Sequence, residues 1–401
     1  MRLFFLFLCI IFTNYNFSQN RFNKKDLIER STAIIPNSSV DFSDLEFLKS
    51  KIDTTLPIFL GESSHTIGDY NHLRVRMIKY LHEKLNYNVI VFEAPFSNLQ
   101  YINENRGVLT AEKMVRMGLY SIWKTDDLVE LMNYLKTHPK LKIVGVDCQD
   151  YYVDSLTINS YYSKIGKHNS ELAKEYKQVT LDFLQLMKAD PFEYKEQNKI
   201  ENQKIMARID TFIQSLFKNK LNDFELQFQL SNYKNSCIEF NMFKPDFSKA
   251  CRFRDSTMSE NYLTLTKNLF PNEKVIVWGH NSHLSKNSLD ANYPKSMGEF
   301  LNEKIKFNAI GLYAYGGNYE FSYTKETKTI KKPSKKYLEY YLHQNDLELS
   351  YIDLKNIFSD SWLNKTYKTL HTGHGIKHIT PSLSFDAIIF FQHVEKSKYL
   401  Y

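Results

Sequence analysis

The sequence predicts an α/β protein, with a mostly parallel central sheet, helices on both faces and a helical insertion over a cleft. Three observations lead there. Six short runs rich in β-branched and aromatic residues alternate with helical patterns in the first and last thirds of the chain. Those runs are apolar on both alternations, as strands are when helices cover both sides of a sheet. The middle, residues 170–265, carries helix-period patterns with almost no strand signal. A chain of 401 residues that is 43% hydrophobic can bury one large core with an appended subdomain, or two ordinary domains.

In chain order, Met1-Arg2 precedes an apolar run over 3–12 and a polar stretch over 13–20. This is the pattern of a secretory signal peptide, read as residues 1–18 with cleavage after Ser18. The run is too short to span a bilayer, which takes about 20 apolar residues. Leu8 before Cys9 argues against a lipid anchor. The protein is therefore expected to be exported, periplasmic or secreted, without a stable membrane anchor. The first part of the core, 19–169, holds candidate strands at 57–60, 88–92 and 142–146. The insertion at 170–265 is interrupted at Asp190-Pro191, where one helix should end before the next begins. The second part, 266–401, holds candidate strands at 274–278, 307–313 and 385–391. The formal charge of +7 is spread along the chain, and the densest basic stretch, 325–336, is broken by Pro333. That suits a solvated loop, so nucleic acid is not an expected partner. Cys148, Cys237 and Cys251 remain after signal removal, too few and too odd for a disulfide scaffold, although Cys237 and Cys251 could pair.

Four of the strands run directly into polar residues: Glu62 and His65, then Glu93, then Asp147 and Gln149, then His280 and His283. In a parallel sheet these ends share one edge, where open α/β sheets bind ligands. Any one of these residues could be structural; four strand ends together favour a site. Arg74 lies at helical spacing with Met77, Ile78, Leu81 and Leu85, on the border of an apolar face. It either reaches past that face to solvent or is buried against a carboxylate, with Glu62 and Glu93 the candidates. Arg76 falls on a more polar face and is expected at the surface. His280 and His283, within Trp278-Gly279-His280-Asn281-Ser282-His283, could donate to an anionic transition state. They could equally bind a divalent metal, with Glu62, His65 and Glu93 completing the ligands. Gly-x-Ser-x-Gly, His-Glu-x-x-His, phosphate-loop and dinucleotide fingerprints are all missing. Cys148 sits at the right edge for a nucleophile but beside a buried strand, where cysteine usually serves packing. An acid–base site built from Glu, His and Arg remains.

Gly61-Glu62-Ser63-Ser64-His65, an arginine-bearing helix and a strand ending in Phe92-Glu93-Ala94 together resemble the start of the erythromycin esterase family. Val144-Gly145-Val146-Asp147-Cys148-Gln149 is similar to its Gly-x-Asp-x-Gln segment. Arg254-Asp255-Ser256-Thr257-Met258-Ser259-Glu260-Asn261 is similar to its Arg-Asp-x-x-Met-x-x-Asn helix. Trp278 to His283 resembles its Trp-x-His-Asn-x-His motif, and Ser296-Met297-Gly298 the Met-Gly that follows. The motifs occur in the family's order across residues 45–394. The resemblance implies hydrolysis of an ester, in the best-known members a macrolide lactone, by water that a histidine deprotonates. It assigns His65 as the base, Glu62 and Arg74 as orienting groups, and His280 and His283 as further cleft residues, with Glu93 at an acidic position. An imidazole suits that task at neutral pH, and Arg74 or a histidine would stabilise the oxyanion. Thr66 stands where members often have Gly, and Gly68 comes two later, so the loop at the base should differ. The expected partner is a small-molecule ester or lactone, acted on by a monomer that needs no cofactor. Two rivals are a metal-dependent hydrolase or peptidase of the wider superfamily and a non-catalytic protein binding haem or another ligand on the same scaffold.

Overall fold

The computed structural model describes residues 21–36, 41–193, 195–287, 295–320, 325–371 and 375–400. The signal segment expected at 1–18 lies outside them.

Among the described residues nine strands form the main sheet: β1 (Ser31–Ala33), β2 (Ile58–Leu60), β3 (Tyr87–Pro95), β4 (Lys142–Asp147), β5 (Lys274–Trp278), β6 (Asn308–Glu320), β7 (Thr327–Thr329), β8 (Leu349–Asp353) and, near the end of the chain, β11 (Ala387–Val394). Between the last two, β9 (Tyr367–His371) and β10 (Gly375–Ile379) form a separate antiparallel hairpin. The order across the sheet is β1-β8-β11-β6-β2-β5-β3-β4, with β7 beside β6. The six strands from β11 to β4 are all parallel and are the six expected from the sequence. The antiparallel strands β1, β7 and β8 are additions that short, mixed stretches such as Ser31-Thr32-Ala33 did not signal.

Alternation along the strands feeds two cores. Ile58, Leu60, Ile90 and Phe92 pack on one face, and Phe59, Val89 and Val91 on the other. This is why the runs are apolar at every position: each side chain meets a covered face whichever way it points. A third core, from Val153 to Phe240, belongs to the helical layer. Its helices are Ser155–Gly166, Ser170–Leu186, Glu196–Lys218 and Phe224–Phe243. Asp190 and Pro191 lie between the second and third of these. The next helix, Phe247–Asn268, leaves that layer, and its Met258, Tyr262 and Leu265 pack against the sheet.

Arg76 departs from expectation. It is buried, donates 2.9 Å from Nη1 to Asp44 Oδ2 and 3.1 Å from Nη2 to the Asp41 carbonyl, and also bonds Asp44 Oδ1. The helix Gly68–Leu85 is buried on most of its circumference because the segment around Asp44 lies over its polar side. Local periodicity carries no record of such a distant cover. Cys148, Cys237 and Cys251 are free thiols, so the Cys237–Cys251 pairing is not formed. Among the described residues no helix is long and apolar enough to cross a membrane.

Candidate active site

The sheet places the motif residues through its central strands. Beyond β2 the chain stays registered on β6, with Gly61 N and Ser63 N donating to the Ile310 and Leu312 carbonyls at 2.9 and 3.1 Å. On the other side Asn281 N, just after β5, donates to the Glu62 carbonyl at 2.8 Å. The approach is so close that a Cβ at Gly61 would overlap the Asn281 amide, so only glycine fits there. Glu62 is thereby held at the edge where β2, β5 and β6 end.

Three donors converge on the Glu62 carboxylate, which is fully buried. Its Oε1 lies 2.7 Å from His65 Nδ1 and 2.7 Å from Trp123 Nε1, while Arg74 Nη2 bonds Oε2. Because a carboxylate accepts, the shared hydrogen belongs to His65 Nδ1 and the lone pair of the neutral ring to Nε2. Arg74, itself fully buried, also donates to Asn71 Oδ1 at 2.8 Å, and its guanidinium lies over the Trp278 ring at 3.6 Å. Burial pulls the Arg74 pKa down to about 10 against the opposing pull of Glu62, which leaves the side chain cationic at neutral pH. Of the two carboxylates considered for Arg74, Glu62 is the partner.

Glu93 serves a second cluster. Its Oε1 accepts from Arg254 Nη2 at 2.9 Å and lies 3.3 Å from His283 Nε2, and its Oε2 accepts the His280 backbone N–H at 2.9 Å. Burial pushes this carboxyl up, but His283, Arg254 and His65 more than reverse it and hold the pKa down to about 2. Arg254 also pairs with Asp147, the last residue of β4, which Tyr120 bonds at 2.9 Å. His283 Nδ1 lies 2.7 Å from Asp255 Oδ1. Burial disfavours its charge, yet Asp255 and Glu93 outweigh both burial and the nearby Arg254, and its pKa is raised. His283 thus lies between two carboxylates that favour its protonated form.

His280 joins the two clusters. Its ring is 4.8 Å from that of His65 and 6.4 Å from that of His283, centroid to centroid. Its Nδ1 lies 2.6 Å from Ser282 Oγ and accepts the Ser282 backbone N–H at 3.2 Å as the cap of the turn Asn281–Leu284; in that capping role a neutral His280 carries its proton on Nε2. The fold therefore brings Glu62, His65, Arg74, Glu93, His280 and His283 into one contiguous network. Arg254, Asp255 and Asp147 belong to it as well. The sequence marks Asp147 as a strand-end residue and Arg254 and Asp255 only as motif members, and Trp123 and His371 carry no motif at all. Cys148 is buried, and burial pushes its thiol well above the ordinary range, which suits packing rather than nucleophilic attack. Among the described residues no group of three or more His, Cys, Asp or Glu side chains could hold a metal ion. Thr66, the departure from the family loop, accepts Ser397 N through its carbonyl at 3.1 Å, and Gly68 N donates to the Glu395 carbonyl at 2.8 Å. The loop that follows His65 is thus pinned to the chain after β11.

The fold and these clusters define a class: an α/β protein whose sheet edge presents a carboxylate-held histidine beside further histidines and paired arginines. The erythromycin esterase family model matches residues 82–394, and the chain belongs to that family. A Bacillus subtilis (strain 168) protein provisionally named as a hydrolase, YbfO, is 28% identical, with 98% of this chain and 96% of that protein aligned. A crystal structure of a Bacillus cereus protein superposes with a TM-score of 0.80 at 22% identity, covering 94% of this chain and 98% of the other. The erythromycin esterase EreC, in its open conformation, has the same fold with a TM-score of 0.67 at 17% identity, over 92% and 98% of the two chains.

Proposed function

We propose that this protein hydrolyses a carboxylic ester or lactone by adding a water deprotonated at His65 Nε2. The observation that carries the reading is the 2.7 Å Glu62–His65 contact, with Trp123 and Arg74 fixing the carboxylate behind it. Such a pair sets the tautomer of the imidazole, orients it and favours the imidazolium that forms on proton transfer. The role of Arg74 then lies behind the base: it is sealed beneath Glu62, and the oxyanion falls to imidazole donors instead. Glu93 anchors the backbone of His280 and, with Asp255, fixes His283.

The substrate is a small ester or lactone; macrolide ring opening is one member of that class. The proposal includes export after removal of residues 1–18 and action as a monomer.

The experiment is a hydrolysis screen over p-nitrophenyl esters, simple lactones and 14-membered macrolides, with and without a chelator, on the wild type and on His65→Ala. Removing a general base should cost about a thousandfold or more in kcat, with the circular dichroism spectrum unchanged. A His65→Ala protein that retains near wild-type turnover would dismiss the proposed base, and activity that vanishes with chelator and returns with a divalent metal would replace the mechanism with a metal-assisted one.

A further inference from the structure

An oxyanion formed at His65 needs hydrogen-bond donors, and several donors of the site are committed. Arg74 is buried against Glu62, Asn71 and Trp278. Arg254 is paired with Glu93 and Asp147, and His283 lies between Asp255 and Glu93. In its capping role His280 contributes one donor, its Nε2–H. Oxyanion sites in acyl transfer are typically built from two or more donors aimed at the developing charge.

The β9–β10 hairpin brings another. His371, the last residue of β9, is 3% exposed, and its ring centroid is 5.1 Å from that of His280 at an interplanar angle of 58°. Tyr313 on β6 packs on it at 5.9 Å, nearly edge-on. The strand holding it is fixed at several points. Tyr367, Thr369 and His371 alternate inward, Leu370 N donates to the buried Glu339 Oε1 at 2.7 Å, and Lys368 N donates to the Lys336 carbonyl at 3.1 Å. Three imidazoles therefore run in sequence, His65, His280 and His371, with His280 in the middle.

We propose that His371 is a catalytic residue of this site, the second imidazole donor that binds the tetrahedral oxyanion together with His280. The assignment rests on the hydrolytic reading above. His65 Nε2 takes a proton from water as the water oxygen bonds to the carbonyl carbon and the carbonyl electron pair moves onto its oxygen. N–H groups of His280 and His371 hold that oxygen. When the carbonyl re-forms, the C–O bond to the leaving alkoxide breaks, and the alkoxide takes the proton from His65, so that acid and alcohol are released with no net change in the protein.

The test uses the full mature chain, p-nitrophenyl butyrate as substrate and monobutyl methylphosphonate as a mimic of the tetrahedral anion. His371→Phe keeps the ring volume and removes the donor; kcat should fall about a hundredfold with KM changed less than about threefold, and the phosphonate should bind at least about tenfold more weakly. His371→Gln restores a donor and should recover most of both losses. The proposal is overturned if His371→Phe leaves kcat and phosphonate affinity within about twofold of wild type, or if Gln is no better than Phe, as expected of a residue that only packs. If wild type hydrolyses no ester but phosphonate binding still responds to His371 in this way, the hydrolytic reading falls and the donor assignment stands. A wild type that does not bind the phosphonate sinks the donor assignment.

Discussion

Arg74→Met is the sharpest test of how the site is held. The substitution conserves the apolar stem and deletes a guanidinium that is fully buried, paired with Glu62 and laid on Trp278 at 3.6 Å. Breaking a buried ion pair from one side costs about 3–5 kcal/mol, because the partner charge is left without its counter-ion. Loss of the desolvated cation–π contact adds about 2 kcal/mol. Against this, Glu62 keeps two donors, His65 and Trp123, so the lower end of the combined range, about 5 kcal/mol, is expected. In Glu62→Gln/Arg74→Met the stranded charge is gone, and about 2–3 kcal/mol should return relative to the sum of the single changes. Urea unfolding followed by tryptophan fluorescence reads the right region, since Trp123, Trp278 and Trp362 all lie in the two cores that flank the sheet and none in the helical layer. Single changes that add within about 0.5 kcal/mol would show that Arg74 and Glu62 are not energetically coupled, and the placement of Arg74 as the prop beneath the base carboxylate would be wrong.

Two further predictions concern the neighbouring framework. Glu239, on the helix Phe224–Phe243, is buried beside Gln149 and Tyr151, and burial lifts its pKa to about 7. The folded state therefore holds a proton that the unfolded state releases near pH 4.5, and stability drains away as pH rises from about 4.5 to 7, by at most about 3 kcal/mol. Glu239→Gln should flatten that slope and exceed wild type at pH 8, as measured by urea unfolding with circular dichroism across pH 5–8; parallel slopes would contradict the buried-acid account. At Gly145, a Cβ would overlap the backbone carbonyls of Ala94 and Pro95 in β3. Gly145→Ala should cost about 3 kcal/mol or more, whereas Gly166→Ala, whose nearest neighbour is the Ala173 Cβ at 3.7 Å, should leave the melting temperature nearly unchanged.

What was legible in the sequence follows the range of the interactions concerned. The six parallel strands show because each is covered on both faces, so that burial is written into every consecutive residue. Glu62, Glu93 and His280 show because they sit directly at the ends of such strands. Arg74 could be narrowed to two partners because a buried guanidinium must have one, but the choice of Glu62 depended on sheet order. Arg76 was misplaced because Asp44 covers it from 32 positions away. Trp123 and His371 left no trace, since a 3-10 turn and a short hairpin strand have no periodicity long enough to place them.

The helices expected as an insertion also hold the sheet edge. Ser236 bonds the Cys148 carbonyl, and Asn261 Nδ2 donates to the Val146 carbonyl at 2.8 Å, so two insertion helices grip the end of β4 from above. The helix Phe247–Asn268 then contributes Arg254 and Asp255, one neutralising Glu93 and Asp147, the other accepting from His283 and from Met297 N at 2.8 Å. Without that helix, Glu93 and Asp147 would lose the guanidinium they share, and the arrangement that seats the His280 backbone on Glu93 would lose a counter-charge. A site whose sheet carries Glu62 and His65 thus depends on the neighbouring helices to set the electrostatics of its other half. This explains why the Arg-Asp motif lies far from the strand-end histidines in sequence and yet acts at the same edge.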